Sequence, residues 1–197
     1  MVGMNLKVKL ADKLNLYAQA MLDDNQSDKY GFQVGLKGFD LFKIKDLYFQ
    51  AEYNTVSAYS YGHMDSTRNY SHYNQALAHP LGAGFSEFIG IVNYKVKDFF
   101  VDVKFNYATY QEDSLNVYHL GKDIFKSDAG IPISASGQTT TMLYETIKLG
   151  YMINPQTHMQ LLVGFSNRSE KNNFWNKETQ YFFIGLRTAL NNQYFDF

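Results

Sequence analysis

The sequence predicts an all-β fold, specifically an antiparallel transmembrane β-barrel of the outer-membrane type. Apolar and polar residues alternate with a period of two over about nine segments, which is the period of a β-strand with one apolar face. Short connections alternate with long ones, as in barrels with short periplasmic turns and longer outward loops. The aromatic share is 17%, with 16 Tyr and 16 Phe, and barrels concentrate aromatic rings where membrane meets water.

Residues 99–110, FFVDVKFNYATY, show the alternation most clearly. Phe99, Val103 and Tyr107 share one parity, whereas Asp102 and Lys104 share the other. The same period predicts the remaining strands, which cover residues 6–10, 14–22, 30–37, 47–54, 88–96, 142–152, 159–166 and 181–190.

The pattern has two departures. Ile89 and Ile91 put apolar side chains on the polar parity of the fifth segment, and Glu145 lies on the apolar parity of the seventh. A soluble β-sandwich would also alternate, so that class stays an alternative to the barrel.

The connections separate two sides of the predicted sheet. Residues 11–13, 97–98 and 154–157 form short turns, whereas 61–84, 111–138 and 167–177 form long polar loops, with 23–28 and 38–45 intermediate. A soluble sandwich has no reason to sort its loops by side, so the sorting favours the barrel.

We expect one domain over residues 1–197, because no repeat, linker or compositional break divides the chain. If the turn at 154–157 is periplasmic, the last strand ends at the periplasmic rim with Tyr194, Phe195 and Phe197, which resembles the sorting signal of outer-membrane barrels. The first strand then begins outside. Since single-chain bacterial barrels have an even number of strands, we expect this chain to be the C-terminal part of a larger barrel, without its signal peptide and early strands.

Several function classes find no support in the sequence. A net charge of −1 and the lack of a basic run predict no nucleic-acid partner, and zero cysteines exclude disulfides and thiolate metal sites. No serine lies in a nucleophile elbow, and the strand glycines form no phosphate-binding loop. We therefore expect neither enzymatic activity nor a cofactor.

The long loop 61–84 is the segment best suited to bind a ligand. Its histidines, His63, His72 and His79, are spaced by nine and seven residues, which matches no metal-ligand motif, so we expect no metal. Tyrosine rings stack on sugar faces, while amide and imidazole groups hydrogen-bond hydroxyls. The predicted ligand-binding residues of this outer loop are Tyr70, Tyr73, Asn74 and His79.

Residues 74–85, NQALAHPLGAGF, carry a resemblance to a known family. The segment His79-Pro80-Leu81-Gly82, after a tyrosine-rich loop and before an amphipathic strand, resembles the Wzi-like capsule-assembly outer-membrane proteins and their RemB-type gliding-motility relatives. The resemblance implies a bacterial outer-membrane barrel of about eighteen strands. It also implies one of two functions, attachment of capsular or exopolysaccharide to the cell surface or a role in gliding motility. The partners it implies are outer-membrane lipid, surface polysaccharide and the motility machinery.

A second function stays open, that of an outer-membrane porin or transport channel for hydrophilic solutes. The polar parity carries charges of both signs, which suits a water-filled interior and argues against strong ion selectivity. These residues are Lys7, Lys9, Lys37, Glu52, Asp102, Lys104, Lys148 and Arg187.

Overall fold

The computed structural model describes residues 2–22, 29–62, 69–73, 75–112, 121–125 and 138–189. Its strands are β1 (Val2–Ala11), β2 (Leu14–Leu22), β3 (Tyr30–Phe39), β4 (Leu47–Val56), β5 (Ser71–His72), β6 (Gln75–Ala76), β7 (Phe85–Val96), β8 (Phe99–Glu112), β9 (Gln138–Asn154), β10 (Met159–Lys171) and β11 (Asn176–Arg187). The one helical element among the described residues is a single 3-10 turn over Leu41–Lys43, and no described helix is long or apolar enough to cross a membrane.

The fold is all-β, with a nine-stranded antiparallel sheet in the order β1-β2-β3-β4-β7-β8-β9-β10-β11. Each strand pairs with the strand next to it in the chain, apart from β5 and β6, which form a small hairpin between β4 and β7. All nine predicted segments contribute a strand to the sheet, so the predicted strand number and antiparallel pairing are confirmed. The last strand ends at Arg187, before the end predicted for it, and Leu190 lies outside the described residues. Within the described residues, β1 and β11 form the two edges of this sheet.

The connections do sort to the two ends of the strands, with one correction. Residues 12–13, 40–46, 97–98 and 155–158 join strands at one end, which we call the turn end. Residues 23–29, 57–84, 113–137 and 172–175 join them at the other, the loop end, where the connection from β10 to β11 is only four residues long. The prediction of a long loop over 167–177 was wrong, because β10 and β11 stay paired as far as Lys171 and Asn176. Residues 167–177 carry polar side chains on both faces of these two strands, so their composition resembles that of a loop. Their backbone nevertheless stays paired within the sheet.

One face of the sheet is apolar across its whole width, which we call the apolar face. The strand register places side chains of the predicted apolar parity side by side, as in the row Phe49, Val92, Val103, Ile147, Phe165 and Phe182. The opposite face, the polar face, carries the predicted polar parity, and Ile89 and Ile91 lie on it as the sequence indicated. Glu145 lies on the apolar face, where Asn167 donates a hydrogen bond to it at 3.3 Å.

The buried core lies on the polar face near the loop end. Segments of the two long connections pack there against β4, β7, β8 and β9, and the buried cluster consists of Val56, Tyr61, Ala83, Phe85, Ala108, Tyr110, Ile124 and Met142. The two connections also bind each other, since the Asn69 amide donates to the Ile124 carbonyl at 2.6 Å and the Ala83 N–H donates to the Gly121 carbonyl at 3.2 Å. The ligand-sized cavity described below lies beneath these segments.

Several strand glycines lie directly under a large side chain of the neighbouring strand. A Cβ added to Gly150 would overlap the ring of Phe100, and one added to Gly164 would overlap the ring of Phe183. Gly35 lies under Tyr17 and Gly38 under Phe49 in the same way. A Cβ on Gly185, in contrast, would meet no atom closer than the Leu162 Cδ1 at 3.5 Å. The glycines therefore make room for rings that lie flat on the sheet, which is the close packing expected of glycine within strands.

The turn from β3 to β4 is held by Asp40. The Asp46 N–H donates to Asp40 Oδ1 at 2.7 Å, and Lys13 Nζ lies 3.4 Å from Asp40 Oδ2. The backbone hydrogen bond from Asp46, with help from Lys13, lowers the pKa of the Asp40 carboxyl.

Candidate functional site

A cavity of about 380 Å³ lies on the polar face at the loop end. Strands β2, β3, β4 and β7 form its floor, and Tyr61, Tyr70 and residues 77–79 of the long connection form its roof. Its volume lies at the lower end of the range for small-molecule sites, about 300–1,000 Å³, so it would hold a small ring system. The lining combines amide, carboxylate, imidazole and phenol groups: Gln19, Gln33, Glu52, Asn54, Tyr61, Tyr70 and His79.

The segment His79-Pro80-Leu81-Gly82 forms a β-turn that anchors the roof. The Gly82 N–H donates to the His79 carbonyl at 2.8 Å, with Pro80 at the second position, where its fixed φ favours the turn. Gly82 has a φ of +73°, and a Cβ there would lie 2.7 Å from the Lys122 Cα, so only glycine lets the two connections touch. The motif that carries the family resemblance thus has a structural role in this chain.

His79 joins the roof to the sheet by three contacts. Its ring stacks on Phe85 with centroids 4.3 Å apart, its Nδ1 accepts a hydrogen bond from the Leu81 N–H at 3.2 Å, and its Nε2 lies 3.2 Å from Glu87 Oε2. Because Nδ1 is an acceptor, the proton of the neutral ring is on Nε2, which donates it to Glu87.

Glu87 is a buried carboxylate held by donors that carry no permanent charge. It is 4% exposed and accepts hydrogen bonds from Asn54 Nδ2 at 3.1 Å, from Asn106 Nδ2 at 2.7 Å and from His79. All of these partners donate, so the carboxylate is ionised. No lysine or arginine of the described residues forms an ion pair with it.

Glu52 repeats the arrangement one strand away and lines the cavity. Its Oε1 accepts from Gln33 Nε2 at 2.9 Å and Asn54 Nδ2 at 2.8 Å, while its Oε2 accepts from Gln50 Nε2 at 3.1 Å and from the Tyr17 hydroxyl. Asn54 therefore bridges the two carboxylates, and its own Oδ1 has no hydrogen-bond partner in the structure.

Two tyrosines of the long connection stand beside this polar floor. Tyr61 and Tyr70 stack with centroids 5.9 Å apart, and the Tyr61 side chain is buried whereas Tyr70 is exposed. Burial raises the pKa of the Tyr61 phenol. The ring faces and the amide floor together form the kind of surface that binds hydroxyl-rich rings.

The structure brings two of the four predicted ligand-binding residues to the cavity. Tyr70 and His79 line it, whereas Tyr73 is 90% exposed at the tip of the β5–β6 hairpin, with its ring against His72 and outside the lining. Asn74 lies outside the described residues. Gln33 and Asn54 of the floor were not among the predicted ligand-binding residues. Their polar positions on adjacent strands were a signal from which they could have been predicted.

The described residues contain no group of three or more His, Asp or Glu side chains placed to hold a metal ion. His72 and His79 lie on different parts of the long connection, and His63 lies outside the described residues. What the cavity offers is hydrogen bonding and ring stacking.

Comparison of the chain with protein-family models, with curated proteins and with solved structures found no match.

Proposed function

We propose that this chain forms part of the wall of a bacterial outer-membrane β-barrel of the Wzi-like or RemB type and that its outer loops bind surface polysaccharide. The apolar face carries the proposal, because its side chains are exposed along all nine strands, reaching 83% for Phe182 and 73% for Ile184. An apolar surface of that extent marks contact with a membrane or a protein. A lipid surface suits it best, since the apolar residues form continuous rows and not one local patch.

The height of the apolar face also supports lipid contact. On β8 it runs from Phe99 to Tyr107, eight residue steps or about 27 Å along the strand. With the tilt of about 40° found in outer-membrane barrels, this corresponds to about 20 Å along the membrane normal, close to their apolar band of about 25 Å.

The edge of the apolar face is sharp on four neighbouring strands. The row Tyr53, Phe88, Tyr107 and Leu143 is followed toward the loop end by the row Thr55, Ser86, Thr109 and Thr141. Aromatic rings next to hydroxyl side chains are typical of the border between lipid and water. On β10 and β11 the same change comes two rows lower, at Asn167 and Gln180, and Glu145 lies in that polar row.

The cavity supports the polysaccharide part of the proposal. It lies on the polar face and at the loop end, which in this orientation opens to the outside of the cell. Exposed Tyr70 offers a ring face at its roof, and the amides of the floor offer hydrogen bonds to hydroxyls. The same site would serve attachment of capsular polysaccharide or adhesion during gliding motility.

A channel for hydrophilic solutes is the second candidate. The polar face below the cavity, toward the turn end, carries Lys37 on β3, Lys104 on β8 and Lys148 on β9, with Asp102 opposite Lys148. A water-filled pore would require such a surface.

Single cysteines on β8 test the membrane part, because the chain has none of its own. Val103→Cys faces the apolar side and Lys104→Cys the polar side. In outer membranes, a water-soluble maleimide should label Lys104→Cys and leave Val103→Cys unlabelled until detergent and denaturant are added. Equal labelling of both in native membranes would contradict the proposal.

Tyr70→Ala tests the polysaccharide part, with Tyr73→Ala as its matched control. Both tyrosines are exposed on the same connection, but only Tyr70 lines the cavity. We expect Tyr70→Ala to lower polysaccharide retention about tenfold, as loss of one stacking ring does, and to leave solute flux into proteoliposomes unchanged. Loss of flux with normal retention would favour the channel.

A further inference from the structure

We infer that the cavity beneath the long connection accepts neutral or amino-bearing sugars and rejects acidic sugars such as uronates. This inference rests on the proposed polysaccharide binding and names the chemical class of the ligand. Its basis is the charge and the hydrogen-bond orientation of the cavity floor.

Within the described residues, the floor carries two carboxylates that are not paired with a lysine or an arginine. Glu52 lines the cavity, and Glu87 lies directly behind Asn54 and His79. Every partner of Glu52 is a neutral amide or phenol, and no described lysine or arginine forms an ion pair with either carboxylate. These two carboxylates give the described lining of the cavity a negative charge.

The carboxylates also orient the amides of the floor. They take up both N–H groups of Asn54 and one of Gln33, so that the carbonyl oxygen of Asn54 is the amide group left to meet a ligand. Asn54 is 7% exposed, lines the cavity, and has no partner for its Oδ1. A buried acceptor without a partner calls for a donor.

A ligand suited to this floor donates hydrogen bonds. Hydroxyl, amino and acetamido groups of sugars can do so, whereas a carboxylate can only accept. A ligand carboxylate about 8 Å from one of the two glutamates would be repelled enough to weaken binding about thirtyfold at an effective dielectric constant of about 20. An amino group at the same place would be attracted by a similar factor.

The test compares three oligosaccharides of equal length and linkage that differ in one group per ring, which is neutral in glucose, cationic in glucosamine and anionic in glucuronate. Binding to the purified full chain in neutral detergent is measured by calorimetry at low and at high salt. We expect the glucuronate oligomer to bind at least tenfold more weakly than the glucose oligomer, and this ratio to shrink in high salt because screening weakens the repulsion.

Two variants locate the selectivity. Glu52→Gln should bring the glucose and glucuronate affinities closer together, whereas Glu145→Gln, which removes a carboxylate from the opposite face, should leave their ratio unchanged. If Glu52→Gln does not fold, the salt dependence of the affinity ratio in the unaltered chain tests the inference instead. Glucuronate binding as tight as glucose binding would overturn the inference and leave the proposed function intact, while no binding by any of the three would overturn the proposed function itself.

Discussion

Replacement of Val103 by arginine tests whether the apolar face meets lipid. Val103 lies midway along the apolar part of β8, four residues from Phe99 and four from Tyr107, and its neighbours in the row are Val92 and Ile147. At about 3.4 Å per residue, each of the two aromatic positions is about 14 Å away along the strand. With a tilt of about 40° this is about 10 Å along the membrane normal. Val103 would therefore lie near the midplane of a bilayer.

The two possible surroundings of Val103 predict different energies. An arginine on the lipid face of a barrel costs about 2–4 kcal/mol at the midplane. If the face met water instead, Val103 is already an exposed residue, and its replacement would change the free energy of unfolding by no more than about 0.5 kcal/mol. The difference is large enough to measure.

The assay is urea unfolding of the full chain from phospholipid vesicles. Tyr107→Arg is the matched control, because it lies on the same face at the predicted border, where arginine costs about 0–1 kcal/mol. Equal effects at Val103 and Tyr107, or a loss below about 1 kcal/mol at Val103, would refute the assignment of this face to lipid.

Three further predictions concern glycines and a turn. Gly150→Ala should lower the free energy of unfolding by about 1–3 kcal/mol, because its Cβ overlaps an aromatic ring. Gly185→Ala, whose Cβ would make only van der Waals contact with Leu162, should be neutral or slightly stabilising; urea unfolding compares them. Gly82→Ala should make residues 57–84 much more sensitive to limited proteolysis than Gly84→Ala, since both have positive φ but only the first clashes with the second connection. The lowered pKa of Asp40 means that its hydrogen bond stabilises the turn above the unfolded-state pKa and is lost as pH falls through the folded-state pKa. The protection of the Asp46 amide against hydrogen exchange, relative to the intrinsic rate at each pH, should therefore fall in acid, and Asp40→Asn should remove this pH dependence.

Much of the sheet could be predicted from the sequence, because side chains of a strand alternate between faces whatever the strand packs against. The nine segments and the departures at Ile89, Ile91 and Glu145 follow from that period. Their antiparallel order follows from the connections, because short turns can join only antiparallel neighbours. The ends of β10 and β11 could not be predicted from the sequence, since a paired strand with polar residues on both faces has the composition of a loop.

The cavity was less accessible to prediction. Tyr70 and His79 were found because the long connection is rich in aromatic and polar residues, and Tyr73 was included for the same reason, although its backbone turns it away from the sheet. Composition cannot tell which side of a loop faces inward.

The sequence by itself determined the two faces of the sheet, because a period of two is a local property of an extended chain. Only the tertiary structure decided that the long connection folds back over the polar face, that His79 reaches Glu87, and that Asn54 joins Glu87 to Glu52. These contacts join residues far apart in the chain, and they depend on the strand register and on the close approach of two loops at Gly82. No local pattern encodes such distances, so the charge of the cavity became visible only once the strands were side by side.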